Sequence, residues 1–489
     1  SSTLQRMELL KTGYMGTLSL GWDNYLFLEL TGRQERSSTL KDQSFFYPSA
    51  NLSFLFTQAF HMPSWWNYGK LRLSYGIVGN APETYTANIV YEQGSDNGFT
   101  WNTIPSSWGN ADIRPEKKYE YEIGLESKFL NNRLGIDVSY YNNRVKAQIL
   151  STPQPSTSGV KNVLMNVGEV ANRGWDISIS ATPILTRDFR WDLTANYGVY
   201  KNKVVKLADG VPYLEILNSG GSGIKIQAVE GQPMGDIYAQ VPQVNENGEY
   251  LVSDKGLYLN QTELQKVGNI NPAGVGGLFN SFSYKNVFLD FSIDFRIGGD
   301  VINEMNQYAT AVGLTPESLK YRDTEHGGLS YYYPGDNNSS GIPVQVDPST
   351  GAGPNGEIIY HDGIILPGVV ASTGERNTRI IPAGYYYNTT YNWGTEAEQL
   401  TYRHSVFDNS YVKLRELTIG YQFPEKMISK LGLGRLSVSV FGRNLFYFYK
   451  ALKNYDAESS VGTSWANQAT VGSSTTATRS FGVSLRASF

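Results

Sequence analysis

The property of this chain that most restricts its fold is a two-residue alternation of apolar and polar side chains. Such alternation sends successive side chains to opposite faces of a sheet. In Lys117 to Phe129, Tyr119, Tyr121, Ile123 and Leu125 alternate with Lys118, Glu120, Glu122 and Gly124. Leu134, Ile136, Val138 and Tyr140 do the same against Gly135, Asp137 and Ser139, and Trp175, Ile177, Ile179 and Ala181 against Asp176, Ser178, Ser180 and Thr182. Val287, Leu289, Phe291, Ile293, Phe295 and Ile297 oppose Asp290, Ser292, Asp294 and Arg296. Similar segments start near Thr12, Tyr25, Phe46, Gly69, Phe189, Leu278, Tyr411, Leu436 and Phe481, about thirteen in all. The chain is therefore all-β, and its strands are antiparallel, because many are joined by very short turns.

Alternation also occurs in soluble sandwiches and propellers. Three features separate those folds from a barrel that spans a membrane. First, tight joints near Trp22-Asp23-Asn24, Leu130-Asn131-Asn132, Thr186-Arg187-Asp188 and Lys285-Asn286 alternate with long connections at roughly 35–45, 80–116, 151–173, 204–277 and 299–409. Transmembrane barrels sort their connections in this way, with short periplasmic turns and long extracellular loops. Second, Trp22, Tyr25, Tyr140, Trp191, Tyr421 and Phe423 fall near strand ends, where aromatic girdles meet the headgroup zone. Third, Phe481, Val483, Leu485, Ala487 and Phe489 alternate with Gly482, Ser484, Arg486 and Ser488. An apolar last strand with a terminal aromatic resembles a membrane-assembly signal.

Composition fits this reading. No run of roughly 20 apolar residues is present, so a helical membrane span is excluded. A barrel strand exposes only every second side chain to lipid, so a mean hydropathy of −0.34 is compatible with membrane embedding. The absence of cysteine excludes thiol catalysis, disulfides and Cys-based metal sites. A net charge of −4 with no basic run speaks against nucleic acid as a partner. Ser1 to Met7 show neither the basic nor the apolar part of a signal peptide. An odd strand count, where single-chain bacterial barrels have even ones, predicts a fragment lacking its N-terminal portion.

No catalytic constellation is visible, and no cofactor is expected. His61, His326, His361 and His404 are scattered without metal-ligand spacing. Asn245-Glu-Asn-Gly248 and Asp336-Asn-Asn338 are oxygen-rich but lack an EF-hand pattern, and such clusters usually make turns. The paired acid and base carboxylates of a glycosidase are not evident.

Several stretches resemble the SusC/RagA-like family of TonB-dependent receptors. Gly69 to Asn80 (GKLRLSYGIVGN) is similar to its mid-barrel strand. Ile113-Arg-Pro-Glu-Lys117 with Tyr121-Glu-Ile-Gly-Leu125 resembles its strand entry, although Ala111-Asp112 stands where the family has Asn-Pro. Asn166 to Gly174 (NVGEVANRG) resembles its Asn-x-Gly signature, Gly231 to Gly235 and Gly268 to Pro272 its loop motifs, and Tyr411 to Tyr421 and Gly442 to Phe446 its late strands. The resemblance covers about 70–489 in family order.

The resemblance implies the last thirteen strands of a 22-stranded outer-membrane barrel, residues 1–489 being a partial barrel domain without N-terminal extension, plug and first strands. It also implies import of an oligosaccharide or peptide, a SusD-like surface lipoprotein as lid, and energy from the TonB complex through the missing N-terminal region. A passive porin-like channel remains the alternative, and behind it a secreted β-rich carbohydrate-binding protein. On this reading Trp101, Trp108, Tyr385, Tyr386 and Trp393, with Tyr331 to Tyr333 and Tyr387, lie in extracellular loops. There they either contact substrate or pack the loops and lid together. Glu122, Asp290, Asp294 and Arg296 face the plug or lumen, while outer-membrane lipid covers the apolar face.

Overall fold

The computed structural model describes residues 7–41, 44–88, 90–96, 98–105, 107–153, 157, 159–160, 162–219, 223–335, 341–392, 401–459, 462, 464–471 and 477–488. Thirteen long strands form one antiparallel sheet in sequence order. They are β1 (Lys11–Trp22), β2 (Leu26–Ser37), β3 (Ser44–Phe54), β4 (Trp66–Asn80), β5 (Glu116–Phe129), β6 (Leu134–Lys146) and β7 (Glu169–Leu185). The sheet continues with β8 (Phe189–Lys206), β9 (Gly274–Tyr284), β10 (Val287–Ile297), β11 (Tyr411–Gln422), β12 (Arg435–Lys450) and β13 (Ser480–Ser488). Each strand pairs with its sequence neighbour, a meander, and β1 and β13 are not paired with one another among the described residues.

The tight joints at one end depend on residues in left-handed backbone. Asp23 and Asn24 have φ of 47° and 56°, and Leu130, Asn131 and Asn132 have φ of 56°, 58° and 63°. Asn and Asp tolerate this region because their short polar side chains bond locally. Leu130 lacks that advantage. At the opposite end the connections are long, as expected, but they are folded rather than irregular. Residues 204–277 contribute an antiparallel sheet of Tyr213–Ser219, Ile224–Val229, Asp236–Ala239 and Gln265–Asn269. Residues 299–409 contribute the helices Glu304–Ala311 and Ala383–Tyr391. Strand β7 begins at Glu169, inside the stretch expected to be loop, because pairing with β6 and β8 continues above the apolar part of the strand.

Register defines two faces. On one, Ile123, Tyr140, Trp175 and Val199 are directly opposed, followed by Leu125, Val138, Ile177 and Tyr197. Among the described residues this apolar face has no covering layer. Trp175, Ile123 and Ile419 are 47, 47 and 53% exposed, and Phe481, Val483 and Leu485 are 73, 72 and 69% exposed. Large apolar side chains arrayed across a whole sheet and open to the surroundings call for lipid. Among the described residues no helix is long and apolar enough to cross a membrane.

The buried cores lie in the loops. One joins three connections: Ile224, Ile226 and Ile237 of the first, Ile302, Tyr402 and Val406 of the second, and Ala466 and Ala469 from the segment after β12. A smaller one joins Leu40, Ala87 and Ile113 with Phe45 at the start of β3.

Candidate functional site

The face opposite the apolar one carries the charge chemistry. Arg72 on β4 reaches over Gly124 on β5 to Asp137 on β6, donating Nη2 to Oδ1 at 2.6 Å and Nη1 to Oδ2 at 3.1 Å. Arg72 Nη2 also donates to Ser139 Oγ at 3.1 Å. The span across β5 is possible because Gly124 has no side chain; a Cβ there would lie 2.7 Å from the guanidinium. Beside this bridge, Asn172 Nδ2 donates to Asn143 Oδ1 (2.9 Å), and Asn143 Nδ2 donates to Glu120 Oε2 (3.0 Å). Polar side chains thus link β4 to β7 laterally on the inner wall. Glu122 sits on this face, opposite Ser74 and Tyr141, and makes no side-chain hydrogen bond among the described residues.

A second network lies where β10 to β12 meet the loops. Asp294 accepts from Arg415 Nε at 2.5 Å, and Arg415 reaches Glu458 with Nη1 at 2.9 Å and Nη2 at 2.5 Å. Glu458 also accepts from Lys413 Nζ at 2.5 Å, and that side chain is only 2% exposed. Arg415 can point inward because it is the extra residue of a bulge: Ser292 opposes Glu416 while Ile293 opposes Leu414. A bulge re-aims side chains in this way. Arg415, Lys413 and Glu458 were absent from the sequence-based candidates. For Lys413 and Arg415 the signal was a slip in phase, Val412 and Leu414 being followed by Leu417 and Ile419, whereas nothing local marked Glu458.

The structure separates the other inner candidates. Asp290 borders an open cleft of about 530 Å³ at the tight-turn end, with Gln422, Arg435 and Arg486. Arg296 is a brace: its Nη2 donates to Ile270 O at 3.0 Å and its Nε to Gly298 O at 3.2 Å, tying the stem of β9 to the exit of β10. The family-like motifs also act as braces. Asn166 accepts from Arg114 N (2.6 Å) and donates to Arg114 O (2.7 Å) and Ala147 O (2.9 Å). Asn269 Nδ2 donates to Asp236 Oδ1 (2.7 Å), and Asn271 Nδ2 to Met234 O (2.6 Å), joining the Gly231–Gly235 and Gly268–Pro272 segments.

The loop aromatics divide between two places. Trp101 lies on the hairpin Glu92–Asp96/Phe99–Thr103, over Gly94, and is 45% exposed. Trp108 packs edge-on against Tyr91, with centroids 6.1 Å apart, on a short strand beside Asn162–Asn166. Tyr385 and Tyr386 share the helix Ala383–Tyr391 in the other loop body. Tyr385 is open, whereas Tyr386 packs on Tyr387 and Tyr391, and burial followed by the nearby Tyr391 raises its pKa. Tyr331 and Tyr333 are buried, with Tyr331 donating to Asp362 at 3.1 Å. Trp393, Phe489 and Asp336 to Asn338 lie outside the described residues.

The remaining sequence candidates sit in local structure. Asn245 Oδ1 accepts from the backbone of Asn247 and Glu249, closing a turn. His326 bonds Asp323 at 2.7 Å and His361 bonds Ser330 at 2.8 Å. His404 stacks on Tyr391, with centroids 4.4 Å apart, and burial, helped by Arg403, holds its imidazole down at about 4. His61 is exposed.

A sheet of this extent is apolar and uncovered on one side and laddered with charge on the other. With tight turns at one end and folded loops at the other, it is the wall of a membrane-spanning β-barrel. Comparison with known proteins specifies which kind. A family profile described as "TonB dependent receptor-like, beta-barrel" matches residues 10–242. TonB-dependent receptor P3 of Formosa agariphila is 24% identical over 493 residues, covering 92% of this chain and 42% of that protein. TonB-dependent receptor SusC of Bacteroides thetaiotaomicron is 29% identical over 247 residues, covering 46% of this chain and 24% of SusC. The solved structure of the RagAB peptide transporter superposes with a TM-score of 0.64 at 19% identity, over 90% of this chain and 44% of that one. The chain thus spans less than half the length of these relatives. Residues 10–242 thus match a TonB-dependent receptor β-barrel profile, and the chain resembles outer-membrane receptors of SusC/RagA-like type in sequence and fold.

Proposed function

We propose that the protein to which this wall belongs imports an oligomeric nutrient, an oligosaccharide or a peptide, across the outer membrane. The carrying observation is the division of the sheet: an uncovered apolar face for lipid, and an inner face whose charged ladders run from the tight-turn end to the loop bodies. Two unpaired edges are not tolerated in hydrocarbon, because every backbone donor and acceptor there needs a partner. On this reading residues 1–489 form one part of a larger barrel of about 22 strands, closed by further strands and filled by a plug. TonB supplies the energy by displacing that plug. The folded loops, about 80–116, 204–277 and 299–409, face outward, and a SusD-like lipoprotein closes over them. Trp101, Trp108, Tyr385 and Trp393 are proposed to meet substrate or lid. RagAB is described as a peptide transporter, which supports a peptide as readily as a glycan.

The test is uptake in cells carrying the complete gene with the plug and TonB-contacting segments deleted. Uptake falls to background while surface binding persists. Undiminished uptake would reject energised import, and steady conductance of the intact protein in a planar bilayer would favour a passive channel instead.

A further inference from the structure

Above the aromatic row on the lipid-facing side, the register assembles a basic patch that no run in the sequence announces. Tyr121, Asn142, Arg173 and Lys201 are directly opposed, and the next row outward is Tyr119, Arg144, Ala171 and Lys203. Each row rises about 7 Å along the strands from the last. The cations therefore stand immediately above Tyr140 and Trp175, whose rings lie 4.8 Å apart. Glu169 on the same face is taken up by Arg144 at 3.0 Å. Among the described residues Arg173, Lys201 and Lys203 have no side-chain hydrogen bond or ion pair.

These cations surround space rather than a flat surface. Asn142, Arg144, Arg173, Lys201, Lys203 and the overhanging Pro233 bound a cleft of about 520 Å³. A second cleft of about 330 Å³ continues it downward between Arg173, Lys201, Trp175 and Tyr140. Below it the wall is aliphatic, with Val138 and Ile177. The order is anion site, aromatic ledge, hydrocarbon track. A free anion would use only the first of these, whereas a lipid uses all three.

We propose that this outer face binds the phosphorylated headgroup of an outer-leaflet lipid, with Arg173, Lys201 and Lys203 on the phosphate and the acyl chains along Val138 and Ile177. Guanidinium and ammonium donors suit phosphate oxygens, and the low-dielectric surroundings strengthen their pull. The inference rests on the reading that the loop-bearing end faces outward.

The experiment uses the complete receptor purified in detergent and titrated with phosphorylated lipid A, inorganic phosphate and phosphatidylethanolamine, read by native mass spectrometry. Lipid A adducts form at the lowest concentration. Each basic residue near an anionic lipid surface is worth roughly fivefold in affinity, so the triple variant Arg173→Ala/Lys201→Ala/Lys203→Ala binds on the order of a hundredfold more weakly. Lys430→Ala, at the tight-turn end, binds as the parent does. If the triple variant does not assemble, Arg173→Gln and Lys201→Gln singly each show the roughly fivefold loss.

Unchanged lipid A binding in these variants overturns the proposal. So does inorganic phosphate competing at equal affinity, which would make the patch a site for a free anion. A changed oligomeric state with lipid binding intact would make the face a contact between copies and also overturns it. Labelling of Asn247→Cys on intact cells, read over the parent receptor as background, reports orientation. Absence of labelling removes both this site and the outward-loop reading, whereas normal labelling with unchanged lipid binding removes only the site.

Discussion

At the scale of single residues, the recurring device is a ring laid over a glycine on the neighbouring strand. Phe288 covers Gly420, Phe441 covers Gly482 and Phe295 covers Gly276, each directly opposite its partner. A Cβ at Gly420 would lie 2.1 Å from the Phe288 ring, so the ring must leave its position if one is added. Gly420→Ala is expected to cost about 1–3 kcal/mol, the usual penalty of overpacking. Gly16→Ala, where a Cβ would meet nothing within 4 Å, should stay within about 0.5 kcal/mol of the parent. Urea titration of the folded, heat-modifiable band of the complete receptor measures both, and equal midpoints for the two variants would refute the packing account. Alternation identified which face each ring occupies. It could not say which glycine lies beneath, because that depends on register between strands.

At the scale of elements, strands were legible and the inside of the loops was not. All thirteen strands of the sheet correspond to segments whose alternation is visible in the sequence, from Thr12 to Phe481. Membrane strands repeat one local rule, so a local pattern suffices. The loop bodies obey no period: Ile226, Ile302 and Ala466 share a core although they come from three connections far apart in the chain. The bulge on β11 stands between these cases, since its phase slip is in the sequence but its partner Glu458 is not local. Glu458→Ala leaves the buried Lys413 without its carboxylate. Removing one partner of such a pair costs about 3 kcal/mol or more. Limited trypsinolysis of the complete receptor should then cleave after Lys453 faster by on the order of tenfold or more. Cleavage at the parental rate would show that the Asp294–Arg415–Glu458 network does not hold this segment to the wall.

At the scale of the whole molecule, the two faces of the sheet define what a substitution does. Ile177 belongs to the apolar face, between Val138 and Tyr197, whereas Ser178 lies on the charged face beside Asp137. Ile177→Arg should cost about 2–4 kcal/mol in the membrane, depending on depth. Ser178→Arg, one residue on, meets a carboxylate-bearing wall and should assemble normally. The fraction of heat-modifiable receptor in outer-membrane preparations compares them, and equal fractions would contradict the assignment of faces.

What the sequence determined alone was the all-β class, a count of about thirteen strands and the face of the regularly alternating residues, together with the asymmetry of the connections. These follow from local periodicity and length. The tertiary structure decided which side chains meet: Arg72 with Asp137 across an intervening glycine, Asp294 with Glu458 through a bulged arginine, and a basic patch assembled from β6, β7 and β8. Each such meeting depends on register between strands and on loop packing, and interactions between residues distant in the chain leave no period to read.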